Sequence, residues 1–340
     1  MNTGALLRSL RGGLTISQAD SPMHCGMTER LLLLQGTSAC RSTKSLDRLH
    51  HLSDAEFRVF SQWGEDGILE WLIQRLPISS PRFIEFGVED YREANTRFLL
   101  INRNWKGLVM DGSAANMERV RSEDLYWRHD LTALNAFIDR SNISAFIADN
   151  GFSGPVGVLS IDIDGNDYWV WEAIECVQAD IVVCEYNAVF GDVYPITIPY
   201  QRDFRRTAAH RSNLYFGASI SALRLLASRK GYELVGTNRA GVNAFFVRRD
   251  LFPLISPMLE SKEPNPSLLR ESRGEDGALT FISGGSRLGK ISDMRVVRVD
   301  TGQIIALKQL KSVYSEEWLK AMGAATTSEH NFAMAAPLAT

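Results

Sequence analysis

The chain has 340 residues, with 37 Lys+Arg against 40 Asp+Glu, a formal net charge of −3 and 45% hydrophobic residues. That is globular composition with enough length for a large core, which excludes full-length disorder and any need for a disulfide or metal staple. The near-neutral balance excludes a dedicated nucleic-acid binder, which needs a basic surplus, and no apolar run approaches the ~20 residues that span a bilayer.

The first 50 residues mix Gly, Ser, Thr and Arg without a sustained period and read as a flexible or loosely helical leader. Within it, residues 28–35 can form a short helix, and 31–34 can dock on a partner. No continuous apolar segment follows Arg8 and Arg11, so no signal peptide is expected. Order is expected from Ser53, where Ser53-Asp54-Ala55-Glu56 has the form of a capping box. Apolar residues at 57, 60, 63, 68, 69, 72 and 73 then predict a helix that Pro77 ends.

Strands and helices alternate after that point. The runs 82–86, 107–110, 155–163 and 181–185 predict strands, with a weaker one at 125–128. Helices are predicted at 94–102, 114–121, 131–141, 168–174 and 219–230. Two closely linked runs, 232–235 and 244–247, predict an antiparallel pair, and 295–299 with 303–307 a hairpin around Asp300-Thr301-Gly302. The tail from 321 reads as frayed. The fold class expected is therefore α/β: a Rossmann-like, doubly wound, mainly parallel sheet with a C-terminal antiparallel hairpin. The division expected is a leader over 1–50, the α/β domain over 51–250 and an extension over 251–340. Cys25, Cys40, Cys176 and Cys184 form no CxxC pair. A zinc knuckle is not expected, and the thiols suit a reducing, cytoplasmic setting.

In an open parallel sheet, ligands bind beyond the carboxyl ends of the strands. Acid and amide groups fall at each of those ends: Glu85-Phe86-Gly87-Val88-Glu89, then Asp111-Gly112-Ser113, Asp162-Ile163-Asp164-Gly165-Asn166-Asp167, and Glu185-Tyr186-Asn187. Asp162 and Asp164, two apart, face one side of an extended chain and can converge. Gly165 lets the chain turn to bring Asn166 or Asp167 to the same point. Oxygen ligands so grouped suit a hard divalent cation. Without a metal, Asp162 is a candidate general base, as is His210 in the loop expected to face the substrate. The stretch Tyr200, Arg202, Arg205 and Arg206 reads either as a solvated face or as a binder of a phosphate or carboxylate on an acceptor.

Glu85-x-Gly87 after the first strand and an acid ending the second resemble motifs one and two of class I S-adenosylmethionine-dependent methyltransferases. Ser61–Gly67 (SQWGEDG), 83–87, Asn95-Thr96, Trp105-Lys106-Gly107, 160–167 and 241–246 (GVNAFF) resemble more closely the FkbM-like group, some of whose members methylate sugar hydroxyls. The resemblance spans residues 57–250. It implies S-adenosylmethionine as cofactor, held by Glu85, Gly87, Asn95, Asp111, Ser113, Asp130 and Leu131, with Asp111 on the ribose hydroxyls and Asp130 on the adenine amine. Similarity to metal-dependent sugar O-methyltransferases implies Mg²⁺ or Mn²⁺ on Asp162, Asp164 and either Glu185 or Asn187. The acceptor is then a small molecule or glycan, in contact with Asp167, Tyr200, Arg202 and Arg205. The chain departs from the family's E/D-x-G-x-G turn, carrying Glu89-Asp90 at its second glycine region. Two other readings stay open: a nucleotide-sugar glycosyltransferase with Asp162-x-Asp164 as its DxD motif, and a methyltransferase-like domain that binds partners without turnover. Homo-oligomerisation is left open.

Overall fold

The computed structural model of the protein describes residues 22–323. The leader before Pro22 and the tail expected to fray beyond 323 lie outside the described residues. Residues 22–43 form one long helix, α1 (Pro22–Thr43), in place of the short helix expected at 28–35. Its Cys40 and Leu33 pack with Phe60 and Phe98, fastening it to the domain. Leu31 and Leu34, expected to dock on a partner, are exposed.

The single helix expected over 53–77 is shorter. After a 3₁₀ turn at Leu52–Ala55, helix α2 begins only at Glu65 (Glu65–Ile73). The physical cause is local. Gly64 takes φ +111°, and the Asp66 carboxylate accepts from the backbone N–H groups of Val59, Phe60 and Ser61 at 2.8–2.9 Å. Those three donors are withdrawn from any helical ladder.

The sheet then builds in chain order. Strand β1 (Arg82–Phe86) leads through helix α3 (Arg97–Arg103) to β2 (Lys106–Asp111). Helices α4 (Ala114–Ser122) and α5 (Asp124–Arg128) precede β3 (Leu131–Asn135). Two expectations reverse here: 125–128 is helical, and the segment read as a helix over 131–141 begins as a strand. Leu131–Asn135 runs parallel to Gly107–Asp111, a pairing with distant residues that overrides the helical spacing of 134, 137 and 138. Helix α6 (Ile143–Asp149), β4 (Gly154–Ile161), α7 (Asp167–Ala173) and β5 (Val177–Glu185) follow. A short strand β6 (Ile196–Thr197) and the single-turn helix α8 (Arg206–Ala209) occupy the loop before α9 (Ile220–Lys230). Strands β7 (Tyr232–Thr237) and β8 (Asn243–Arg248) then complete the sheet.

The strand order is β3-β2-β1-β4-β5-β8-β7, with β8 antiparallel to both neighbours. The chain reverses direction across the sheet between β1 and β4, which makes the carboxyl ends of these two strands the switch point. Alternate residues feed two cores. Phe83, Val109, Val158, Ile181 and Phe245 pack on one face, Ile84, Leu108, Leu159, Val182 and Phe246 on the other. Helices therefore cover both faces, as near-continuous apolar strands require.

The expected C-terminal hairpin is present as β9 (Arg295–Arg298) and β10 (Ile304–Ala306), and it is not isolated. It pairs with β6 in a second sheet of order β10-β9-β6. Ile196, Ile198, Leu214, Ile291, Val296 and Leu307 form its own small core. The extension thus braces the loop after β5, the loop that carries Arg206.

Candidate functional site

Two cavities open side by side along the carboxyl ends of β1, β2, β4 and β5. The first, about 250 Å³, lies over β1, β2 and the end of β3, and Asp111, Gly112, Phe137, Ile138, Asn166 and Phe204 are among its walls. The second, about 330 Å³, lies over β1, β4 and β5, with Trp63, Asn95, Glu185, Arg206, Asn243 and Glu271 among its walls. Gly87, Glu89, Asp162 and Asp164 line both.

The turn after β1 is built around Gly87. At φ +70° a Cβ here would sit 1.7 Å from the carbonyl oxygen of Asp162, so the β1 and β4 loops can touch only through a glycine. Glu85 faces inward. Its oxygens accept from Asn95 N (2.8 Å), Thr96 N (3.0 Å), Thr96 Oγ1 (2.5 Å) and Ser160 Oγ (3.3 Å). Glu85 thereby anchors the start of α3 and holds Asn95 at the cavity wall, and burial pushes its carboxyl up to about 7 despite those donors. Asp111 at the end of β2 accepts from Glu89 N at 3.0 Å and Ser113 N at 2.7 Å, which ties the first loop to the second.

The turn after β4 is held from within. Asp167 accepts from Ile163 N at 2.8 Å and Gly165 N at 2.9 Å, and Asp164 takes a left-handed φ of 54°. That conformation, uncommon outside glycine, aims the Asp164 carboxylate back toward Asp162. Asp162, Asp164 and Glu185 each offer a ligand oxygen, and the three oxygens lie within 4.8 Å of one another. Burial lifts the Asp162 and Glu185 carboxyls well above the ordinary range, with the neighbouring acids adding to it. Glu185 is 5% exposed, and its Oε2 is buried without a hydrogen-bond partner. Arg206 reaches the group from α8. Its Nη1 donates to Asp164 Oδ1 at 2.7 Å, its Nη2 lies 3.8 Å from Glu271, and its guanidinium stacks 3.9 Å over the Phe216 ring.

The distant segments SQWGEDG and GVNAFF meet through one carboxylate. Glu65 Oε1 accepts from Asn238 Nδ2 at 2.7 Å and Asn243 Nδ2 at 2.8 Å, and Oε2 accepts from Trp63 N at 2.9 Å. Asn243 pairs with Glu185 across β5 and β8, so this knot places Gln62, Trp63 and Asn243 on the wall facing the acid cluster.

Of the residues predicted from the sequence, Glu85, Gly87, Asn95, Asp111, Asp162, Asp164 and Glu185 all stand on cavity walls. The others are elsewhere. Asp130 precedes β3, at the amino ends of the strands, and pairs with Lys106 at 3.3 Å, while Leu131 starts that strand and is buried. Both were expected from the family resemblance as the adenine contact; the groups that reach the first cavity beyond β3 are Ala136, Phe137 and Ile138. Ser113 caps α4 by accepting from Asn116 N. The Asn187 amide donates to Leu214 O and Phe216 O and accepts from Val189 N, which spends it on loop structure and leaves it out of the acid triad. Asp167 is spent on the β4 turn. His210 sits beyond α8 against Ser212, at 2.7 Å, and lines neither cavity.

Tyr200 lies beneath Arg140, and Arg202 is bound to Asp139 at 2.9 Å, both away from the walls. Arg205 is exposed, 6.0 Å from the Phe137 ring at the rim of the first cavity. The basic stretch is therefore not an anion site as a unit; Arg206 alone of it enters, and it faces acids. Glu93, Glu271 and Phe137 were not predicted as site residues, and Trp63 was marked only as part of SQWGEDG, because only tertiary packing brings them to the walls.

No known protein-family model matches the chain, and no curated protein matches it. Among solved structures, the N-terminal domain of EvdMO1 in the presence of SAH and D-fucose aligns at 12% identity over 63% of this chain and 96% of that one, with a TM-score of 0.37. The CurJ carbon methyltransferase aligns at 14% identity over 54% and 52%, TM-score 0.33. The glycopeptide N-methyltransferase MtfA with S-adenosylmethionine aligns at 13% over 53% and 85%, TM-score 0.32.

Proposed function

We propose that the chain is an S-adenosylmethionine-dependent methyltransferase acting on a hydroxyl oxygen of a sugar-like acceptor, with a divalent cation, Mg²⁺ or Mn²⁺, on Asp162, Asp164 and Glu185. The observation that carries this reading is the pair of cavities meeting at the β1/β4 switch point. One holds an acid at the end of β2, the other a carboxylate triad, and a shared wall joins them where a donor and an acceptor would be brought together.

The residues fit a nucleoside cofactor in the first cavity. Asp111 stands where an acid accepts ribose hydroxyls in doubly wound folds, Gly87 keeps the floor free of side chain, and Phe137 and Ile138 offer apolar cover for a base. S-adenosylmethionine supplies a methyl group already activated on a sulfonium. The protein's tasks are then alignment and deprotonation. Trp63, Gln62 and Asn243 shape the far wall against which an acceptor is oriented. Without the cation, Asp162, which lines both cavities, is the carboxylate in reach of an acceptor hydroxyl at the shared wall. The triad fits a hard cation: three carboxylate oxygens lie within 4.8 Å of one another, and Glu185 also has a buried oxygen without a partner. Such an ion lowers the pKa of a hydroxyl bound to it.

The glycosyltransferase reading explains Asp162 and Asp164 and leaves the Asp111 cavity without a role. Calorimetric titration with S-adenosylhomocysteine, with and without Mg²⁺ or Mn²⁺, tests the assignment. Wild type is expected to bind, and Asp111→Ala to bind about tenfold more weakly or worse, through loss of charge-assisted hydrogen bonds. Absence of binding under every metal condition, together with heat from a nucleotide sugar, would transfer the assignment to the glycosyltransferase class.

A further inference from the structure

The residues common to both cavities are Gly87, Glu89, Asp162 and Asp164, so every side chain on the shared wall is a carboxylate. Among the described residues, no Lys, Arg or His lines the first cavity. The second has seven carboxylate residues and one cationic residue, Arg206, which is committed to Asp164 at 2.7 Å and stacked on Phe216. Two further atoms show that the second cavity is not completed by the described residues. Glu185 Oε2 and Asn243 Oδ1 are both buried acceptors without a donor, and their residues line the second cavity. The missing complement is a positive charge or a hydrogen-bond donor.

Glu89 is the member of this wall that the fold does not require. It stands at the second glycine position of the family turn, and it keeps the glycine-like conformation, φ 48°. Its backbone N–H donates to Asp111 at 3.0 Å, which fixes the loop through the main chain and leaves the side chain free of that duty. A residue with a side chain at positive φ is held against a steric preference, and such outliers gather at functional sites.

On the methyltransferase reading, the boundary of the two cavities is where the cofactor's charge is lost when the methyl leaves. We propose that Glu89 is a specificity-determining residue of this site, its carboxylate favouring the sulfonium cation of S-adenosylmethionine over the neutral thioether of S-adenosylhomocysteine. The reacting molecule is then held more tightly than the spent one, and the site sheds its product once the charge is gone.

The test is calorimetric titration of wild type, Glu89→Gln and Glu89→Gly with three probes, in buffer containing chelator so that no dication offsets the acids. The probes are S-adenosylmethionine, S-adenosylhomocysteine, and sinefungin, which carries an amine in place of the sulfonium methyl. Wild type is expected to bind the two cationic probes about tenfold more tightly than the neutral one. Both variants are expected to narrow that ratio to about threefold or less, with affinity for the neutral probe changed less than about twofold. Glu89→Gln keeps the shape, and Glu89→Gly restores the ordinary turn residue, so a folding defect in one does not spare the proposal. Equal affinities in wild type, or a ratio unchanged in both variants, would overturn the proposal while leaving the cofactor site intact. Failure of all three probes to bind wild type, both in chelator and again with Mg²⁺ or Mn²⁺ present, would overturn the methyltransferase reading itself and the proposal with it.

Discussion

Two sets of carboxylates stand around one site and are treated in opposite ways. Glu65, Glu85 and Asp167 have both oxygens engaged by donors of the chain, and each ties together a loop: 61–65 to the start of β8, the β1 turn to α3, and the β4 turn to itself. Glu185 is as buried, yet its Oε2 has no donor, and with Asp162 and Asp164 it faces a cavity. Between Glu185 and the first set, burial and acid type do not differ and the source of the hydrogen-bond donors does; Asp164 is exposed and answered in part by Arg206. A carboxylate answered by the chain is architecture, and one left unanswered is kept for a ligand.

The largest effect should come from breaking the first set. Glu65→Ala strands the Asn238 and Asn243 amides and the Trp63 N–H in a buried place, and each orphaned group costs about 1–3 kcal/mol. Chemical denaturation should show a loss of at least about 3 kcal/mol. A loss under about 1 kcal/mol would mean that water answers these groups and that the two sets are not distinct.

Replacing Glu185 should act in the opposite sense. Glu185→Gln removes a buried charge from among like charges, so stability should hold or rise, while binding of Mn²⁺ is lost and turnover falls about 100-fold or more. Thermal melting and a metal titration on the same sample decide it. A destabilised variant that still binds metal would move Glu185 into the architectural set.

Which acids belong to which set was only partly legible in the sequence. The acid-tipped strand ends were visible because parallel strands read as apolar runs that stop abruptly, as 155–161 does at Asp162. The fate of each side chain was not. Asn187 is consumed by carbonyls at 214 and 216, and Arg206 is placed by Asp164 and Glu271, contacts 42 and 65 residues apart in the chain. No local pattern records such closures. The strand β3 was missed for the same reason, since its evidence is the parallel partner β2 and not its own spacing. The resemblance of SQWGEDG and GVNAFF to one family marked both segments, but their meeting through Glu65 appears only in the fold.

The smallest effect concerns pH and asks whether donors alone define the first set. Glu85 accepts four hydrogen bonds, which favour its charged form, and burial still raises its carboxyl from 4.5 to about 7. Glu56, mostly buried and bonded to Arg239 N, is also raised to about 7, again chiefly by burial. In the unfolded chain both groups titrate near 4.3. Between that value and about 7 the folded state therefore holds protons that the unfolded state has released. Stability is then greatest on the acid side of this window and is lost as pH rises through about 7. For Glu85 the full span is worth at most about 4 kcal/mol. Asp139, Asp250 and Asp300 are lowered, so their contribution is lost as pH falls below the ordinary carboxylate range, which closes the window on that side. Melting temperature should peak at about pH 4–5 and fall by a few degrees toward pH 8. Glu56→Gln should flatten part of that fall, because glutamine still accepts from Arg239 N and has no charge to desolvate. A melting temperature that rises from pH 6 to 8 would show that the donors, and not burial, set the charge of these acids, and that an answered carboxylate is ionised at no cost to the fold.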